Sequence, residues 1–178
     1  MESIRKFADQ PLTWTQPYVT CREYKLRCPD GLLAGLRWPS VWSSQAEGET
    51  VEGTWLLERS GWMKPRITAI VAKSNAEVGC LELEWGGGTA VFPSGSRYRW
   101  VRRSFWRGEW AFVDEKDDPL VTFTPQPGFF KYQLAVRILP RAIGVPELPL
   151  LTLLGCYTLI LQAHDAAASS AAAVAAMG

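Results

Sequence analysis

The densest run of chemistry-bearing residues in this chain is RYRWVRRSFWRGEW, in which Arg97, Arg99, Arg102, Arg103 and Arg107 interleave with Tyr98, Trp100, Phe105, Trp106 and Trp110. Guanidinium forks suit phosphate or carboxylate oxygens bidentately, and indole rings favour a membrane–water interface. The run is therefore a candidate site for an anion or a lipid headgroup. At the period of a strand, Arg97, Arg99 and Arg103 share one face while Tyr98 and Trp100 share the other. The competing reading is structural: an outer sheet face whose arginines pair across strands with Glu82 and Glu84. Basic strands with aromatics also build single-strand nucleic-acid platforms. With 19 basic against 18 acidic residues and a formal net charge of +1, no global field recruits nucleic acid, and none is expected as a partner.

The remaining candidates for chemistry are sparse. His164 is the sole histidine, so no histidine-pair metal site can form and a triad would have no choice of base. It sits beside Asp165 at the end of an apolar run, where an imidazole suits a helix dipole. Ser60 and Ser104 have no base near them in sequence. WGGGT (Trp85 to Thr89) precedes a strand and lacks the Lys-Ser/Thr of a phosphate-cradling loop, so its glycines are read as a tight hairpin or bulge. The acidic cluster Asp114 to Asp118 lacks the glycine and spaced oxygens of a calcium loop and is read as a solvated hairpin turn. Cys21, Cys28, Cys80 and Cys156 show no CxxC pair and no ligand spacing. These readings assign no catalytic residue, metal or cofactor, and the chain is expected not to be an enzyme.

The elements that must carry these residues divide at Pro140. From Trp14 to Pro140 the chain alternates short apolar–polar runs with turn chemistry, as in REYKLRC, LLAGLRW, TWLLER, RITAIVAK, VGCLELEW, RYRWVRRS and LVTFT. That makes about eleven or twelve strands at a spacing of roughly 8–12 residues, without βαβ alternation. Nine tryptophans recur along this region (Trp14, Trp38, Trp42, Trp55, Trp62, Trp85, Trp100, Trp106, Trp110), most of them expected in the core or at its rim.

Then comes LPLLTLLGCYTLILQ, Leu148 to Gln162, with no charge between Glu147 and Asp165. On a helical wheel its large apolar side chains cover almost the whole circumference, so it is either wrapped by protein or immersed in lipid. Leu148 to Ala163 spans about 24 Å at roughly 1.5 Å per residue, short of the roughly 30 Å of a bilayer core. The expected architecture is mainly β: a closed antiparallel barrel of about twelve strands around a central hydrophobic C-terminal helix at about 147–164. About twelve strands enclose a lumen too wide for side chains alone, and a helix of about 10 Å diameter fills it. Gly155 would mark a close approach of helix to wall. Residues 1–13 read as a polar lead-in, 14–165 as one domain, and 166–178 as an Ala-rich tail leaning towards helix.

The strand series with DGLLAGLRW, TWLLERSGW and WGGGTAVFPSGSRYRW, closed by PELPLLTLLGCYTLILQ, resembles the tubby C-terminal-like superfamily, in particular its LURP-one-related and phospholipid-scramblase-like branch. The resemblance covers about residues 14–165 and is architectural. It implies a twelve-stranded barrel around a C-terminal hydrophobic helix. It also implies phosphoinositide binding, membrane-associated signalling or no activity. The functional expectation is a binding or regulatory module, monomeric, taking an anionic phospholipid or a protein partner. The alternative is a membrane-anchored, scramblase-like protein using 148–163 as a membrane segment. The N-terminal MESIRKFADQPL has no apolar signal core. Together with unpaired thiols, this points to the cytoplasm, with the membrane periphery as a second location.

Overall fold

Alternating burial along several strands, clearest in LTWT, EYKLRC, QAEGET and QLAVRI, sets the architecture. In the computed structural model, which describes residues 1–18, 20–40, 43–61, 63–126 and 132–175, twelve antiparallel strands close into a barrel. They are β1 (Leu12–Thr15), β2 (Glu23–Cys28), β3 (Gly31–Arg37), β4 (Gln45–Thr50), β5 (Gly53–Ser60) and β6 (Arg66–Val71). The series continues with β7 (Glu77–Glu84), β8 (Gly87–Val91), β9 (Arg97–Ser104), β10 (Glu109–Val113), β11 (Pro119–Gln126) and β12 (Gln133–Ile138). Each strand pairs with its sequence neighbours, and β1 closes on β12 through Leu12 opposite Val136 and Trp14 opposite Leu134. A closed up-and-down order leaves no open edge. Connections therefore alternate between the two ends of the barrel.

The helix α1 (Leu148–Ala175) enters from one end and fills the lumen. Every residue from Leu148 to Leu161 is buried, so the all-round apolar surface meets barrel wall on all sides. Thr152 and Thr158, the polar exceptions, donate their hydroxyls to the carbonyls of Leu148 and Leu154 at 2.9 and 2.7 Å. Their polar atoms are thereby satisfied inside an apolar core. Gly155 does mark a close approach: a Cβ there would lie 2.3 Å from Cζ of Phe123. The Tyr157 ring stacks on Trp38 at 5.4 Å, and its hydroxyl donates to the Ser44 carbonyl at 2.5 Å while accepting from the Arg59 N–H at 3.1 Å.

Two expected boundaries shift. The helix does not stop near 164. It leaves the lumen at Gln162 and runs exposed as an arm, continued by the Ala-rich segment because exposed helix needs propensity but not packing. Arg59, at the end of β5, anchors the exit through a fork on Asp165 at 2.5 and 3.3 Å. Residues 1–13 are also more than a polar lead-in. Ile4 and Phe7 are buried in a short 3-10 turn (Ile4–Phe7), and β1 already begins at Leu12. Arg5 donates to the carbonyls of Ile143, Val145 and Pro146 at 2.6–2.8 Å, tying this segment to the approach of α1. An open barrel end exposes apolar lumen, and the N-terminus supplies the cover.

Of the tryptophans, Trp14, Trp38 and Trp100 are buried and Trp55 and Trp110 half-buried, whereas Trp85 and Trp106 stand in solvent. Trp42 and Trp62 lie outside the described residues.

Candidate functional site

Strand β9 carries the candidate arginines, and its pleat sorts them. Trp100 points into the core, where its ring meets Phe112 at 4.7 Å and Phe123 at 5.4 Å. Arg97, Arg99 and Arg103 therefore take the outer face. A bulge at Arg103, where Glu109 opposes Ser104 but Trp110 opposes Arg102, ends the regular alternation. The five arginines consequently separate into three environments.

Arg97 and Arg99 lie towards the end where the helix enters. Arg99 forms an ion pair with Asp117, in the β10–β11 turn. In that turn the Asp114 carboxylate accepts the N–H groups of Lys116 and Asp118 at 2.9 and 3.0 Å, and Arg141 pairs with Asp118. The acidic cluster is thus a hairpin turn, and it neutralises part of the basic face. Arg97 borders a depression of about 520 Å³ shared with Lys116, Arg141, Asp114 and Glu115. The expected pairing with Glu82 and Glu84 is not made. Glu82, Thr89 and Arg99 lie in one cross-strand row, so β8 holds Glu82 and Arg99 two strand spacings, about 9.6 Å, apart.

Arg103 faces a groove of about 490 Å³ on the outer wall, with Thr13, Thr122, Thr124 and Ala135 as a shallow floor and Arg137 beyond them. Arg102 and Arg107 lie at the opposite rim, where the helix exits. The Arg102 guanidinium sits over Phe105 at 4.5 Å and Trp110 at 5.9 Å, and Trp110 stacks on Trp100 at 5.2 Å. That chain of rings ties an exposed cation to the core. Arg107 is exposed in the hairpin tip beside Trp106. None of Arg102, Arg103 and Arg107 has an ion pair among the described residues.

The same rim holds residues that the sequence did not assign to a site. Tyr18, Met63 and Trp85 stand exposed on the β1–β2, β5–β6 and β7–β8 connections. Their signal is a bulky apolar residue beside turn-formers, as in SGWMKP and EWGG. Gly86, at φ +83°, makes the tight turn behind Trp85. A Cβ on Gly87 would lie 2.6 Å from the Trp100 carbonyl, and one on Gly88 2.5 Å from that of Glu82. Gly86 thus serves the turn, and Gly87 and Gly88 serve close strand approach.

Burial lowers the pKa of His164, the Arg22 charge adds to this, and Asp165 opposes both. Burial pushes the Cys156 thiol well up. Among the described residues no three or more His, Cys, Asp or Glu side chains gather to hold a metal.

No protein-family model matches the chain, and no curated protein matches it. A solved X-ray structure of a protein from Arabidopsis thaliana is similar at 11% identity and a TM-score of 0.49, covering 83% of this chain and 94% of that one.

Proposed function

We propose that this barrel is a non-catalytic binding module of the tubby-like, LURP-one-related kind, which recognises anionic phospholipid headgroups from the cytoplasmic side as a monomer. The observation that carries the reading is the state of the arginines: Arg102, Arg103 and Arg107 are exposed, lack ion pairs among the described residues and follow one another along the end of β9 and its hairpin, Arg103 on the outer wall and the other two at the rim. Arg99, tied to Asp117, and Arg97, beside the acidic turn, contribute less. An Arg fork on a phosphate gains both charge and geometry. A surface potential of anionic lipid adds about 1 kcal/mol per cation near it.

The alternative, in which 148–163 spans a membrane, would require the lumen to be emptied. Leu148–Ser170 is long and apolar enough to cross a bilayer by composition, but 67% of its window is buried inside the barrel. Its apolar surface already has a partner.

Vesicle flotation tests the proposal. Wild type should float with phosphatidylserine- or phosphoinositide-containing vesicles and not with neutral ones, and salt should weaken binding. Arg102→Ala, Arg103→Ala and Arg107→Ala combined should abolish flotation. Binding unchanged in that triple variant would refute the assignment.

A further inference from the structure

Among the described residues, the large apolar side chains most exposed to water collect at one end of the barrel. Trp85 is 105% exposed, Trp106 94%, Met63 91%, Phe105 72% and Tyr18 65%. In the closed up-and-down order, all five sit on connections at the end from which α1 leaves the lumen. Among the described residues, the opposite end exposes Met1, Val51 and Ile143, between 40% and 54%. A fully solvated indole adds nothing to the folded core, which leaves two of them on neighbouring hairpins available to a partner.

The shape of the surface selects that partner. A protein hot spot is a pocket filled by an anchor. Here the anchors project singly from hairpin tips around a protruding helix, and each can partition alone into an interface. Cations stand beside them: Lys64 follows Met63, Arg107 follows Trp106, and Arg102 lies against Phe105. Long basic side chains of this kind can reach headgroup phosphates while the neighbouring ring enters the acyl boundary. The arm of α1 points the same way. From Ala166 to Ala175 it carries no charge, and its two serines, Ser169 and Ser170, donate back to the Asp165 and Ala166 carbonyls at 2.9 Å. No hydroxyl proton on that arm is left to be stripped of water.

We propose that the helix-exit end is a membrane-docking surface: Trp85, Trp106, Phe105 and Met63 enter the headgroup–acyl boundary of an anionic bilayer, the Ala-rich arm follows, and the barrel stands end-on. This deepens the headgroup reading above by adding insertion and orientation to charge recognition.

The full chain is mixed with phosphatidylcholine vesicles containing roughly a third phosphatidylserine and, in parallel, the same vesicles brominated in the acyl chain near the headgroup. Tryptophan emission should shift to the blue and be quenched by the bromolipid. Trp85→Ser with Trp106→Ser should remove most of that quenching and lower the partition coefficient by about tenfold or more, with an unchanged melting temperature, since both rings are solvated in the folded chain. Vesicle binding without quenching would overturn insertion while leaving headgroup recognition standing. No binding to any vesicle would overturn both. A lipid-free dimer that the double variant dissolves would assign these tips to a second copy and overturn membrane docking.

Discussion

Gly155 of the lumen helix lies directly against the ring of Phe123 on β11, with room for a hydrogen but not a methyl: a Cβ would sit 2.3–2.8 Å from three ring carbons. Phe123 cannot yield easily, because Trp100 and Phe112 hold its ring. Gly155→Ala should cost about 1–3 kcal/mol of overpacking, outweighing the helix propensity it gains. At this chain length, that lowers Tm by roughly 2–4 °C per kcal/mol. Gly35→Ala in β3, where a Cβ meets nothing within 4 Å, is the control and should be neutral or slightly stabilising. Equal melting of both variants would mean that the helix does not approach β11 as described.

Cysteine accessibility gives a second prediction. Cys21 is exposed, while Cys28, Cys80 and Cys156 are buried and none is bridged. Burial raises the Cys80 thiol, partly offset by Arg66, and raises Cys156 further. The thiolate is the reactive form, so a chromogenic disulfide reagent should titrate one thiol quickly in the native protein and all four after unfolding. Cys21→Ser should remove the fast phase. Fast labelling of Cys156 in native protein, located by mass spectrometry, would show that the lumen opens.

Much of the fold was legible because it rests on periodicity. VGCLELEW alternates, LPLLTLLGCYTLILQ is apolar on every side, and a closed wall of strands covers such a helix where it is too short to span a bilayer. Gly155 was legible as the small residue in that helix. The site was less so. The sorting of Arg97, Arg99 and Arg103 onto one face follows from the pleat. The partner of Arg99 comes instead from the turn after the next strand, and that depends on register. The bulge at Arg103 is likewise invisible in composition. Trp85 was misleading for a local reason: it continues the Leu81–Leu83 alternation, yet β7 ends at Glu84, so the indole stands on the turn and not in the wall. Ile4 and Phe7 hid within a polar segment because two apolar residues carry no period.

The junction between barrel and helix makes stability pH-dependent on both sides. The Glu147 carboxylate accepts from Ser94 Oγ and Tyr98 Oη, each at 2.9 Å. Partial burial pushes its pKa up, but the hydrogen bonds outweigh this and hold it below the usual value. Its contribution is therefore present above about pH 4.3 and lost as pH falls through the lower folded value. Burial and the bond to Glu147 push Tyr98 up to about 12. That contribution is full below about pH 10 and lost as pH rises towards the folded value. Tyr24 and Tyr157, raised to about 12 mainly by burial, add to the alkaline loss. Urea midpoints across pH should show a plateau between these limits. Tyr98→Phe should weaken both limbs, and identical profiles for variant and wild type would exclude the Tyr98–Glu147 link.

The sharpest test of the lumen helix is a charge in its middle. Leu154 is fully buried and one residue from Gly155, so an aspartate there has neither water nor a partner. A lone carboxylate in such a place either protonates or prevents folding. Removing the leucine contacts alone costs about 2–5 kcal/mol, a large share of a domain's stability. Leu154→Asp should therefore abolish soluble, cooperatively melting protein, whereas Leu154→Met should retain it, since volume-conserving apolar swaps usually cost less than about 1.5 kcal/mol. In a membrane segment the same aspartate would chiefly reduce membrane retention and leave the β-domain folded. Soluble Leu154→Asp protein with an unchanged melting transition would thus remove α1 from the lumen and return 148–163 to the membrane.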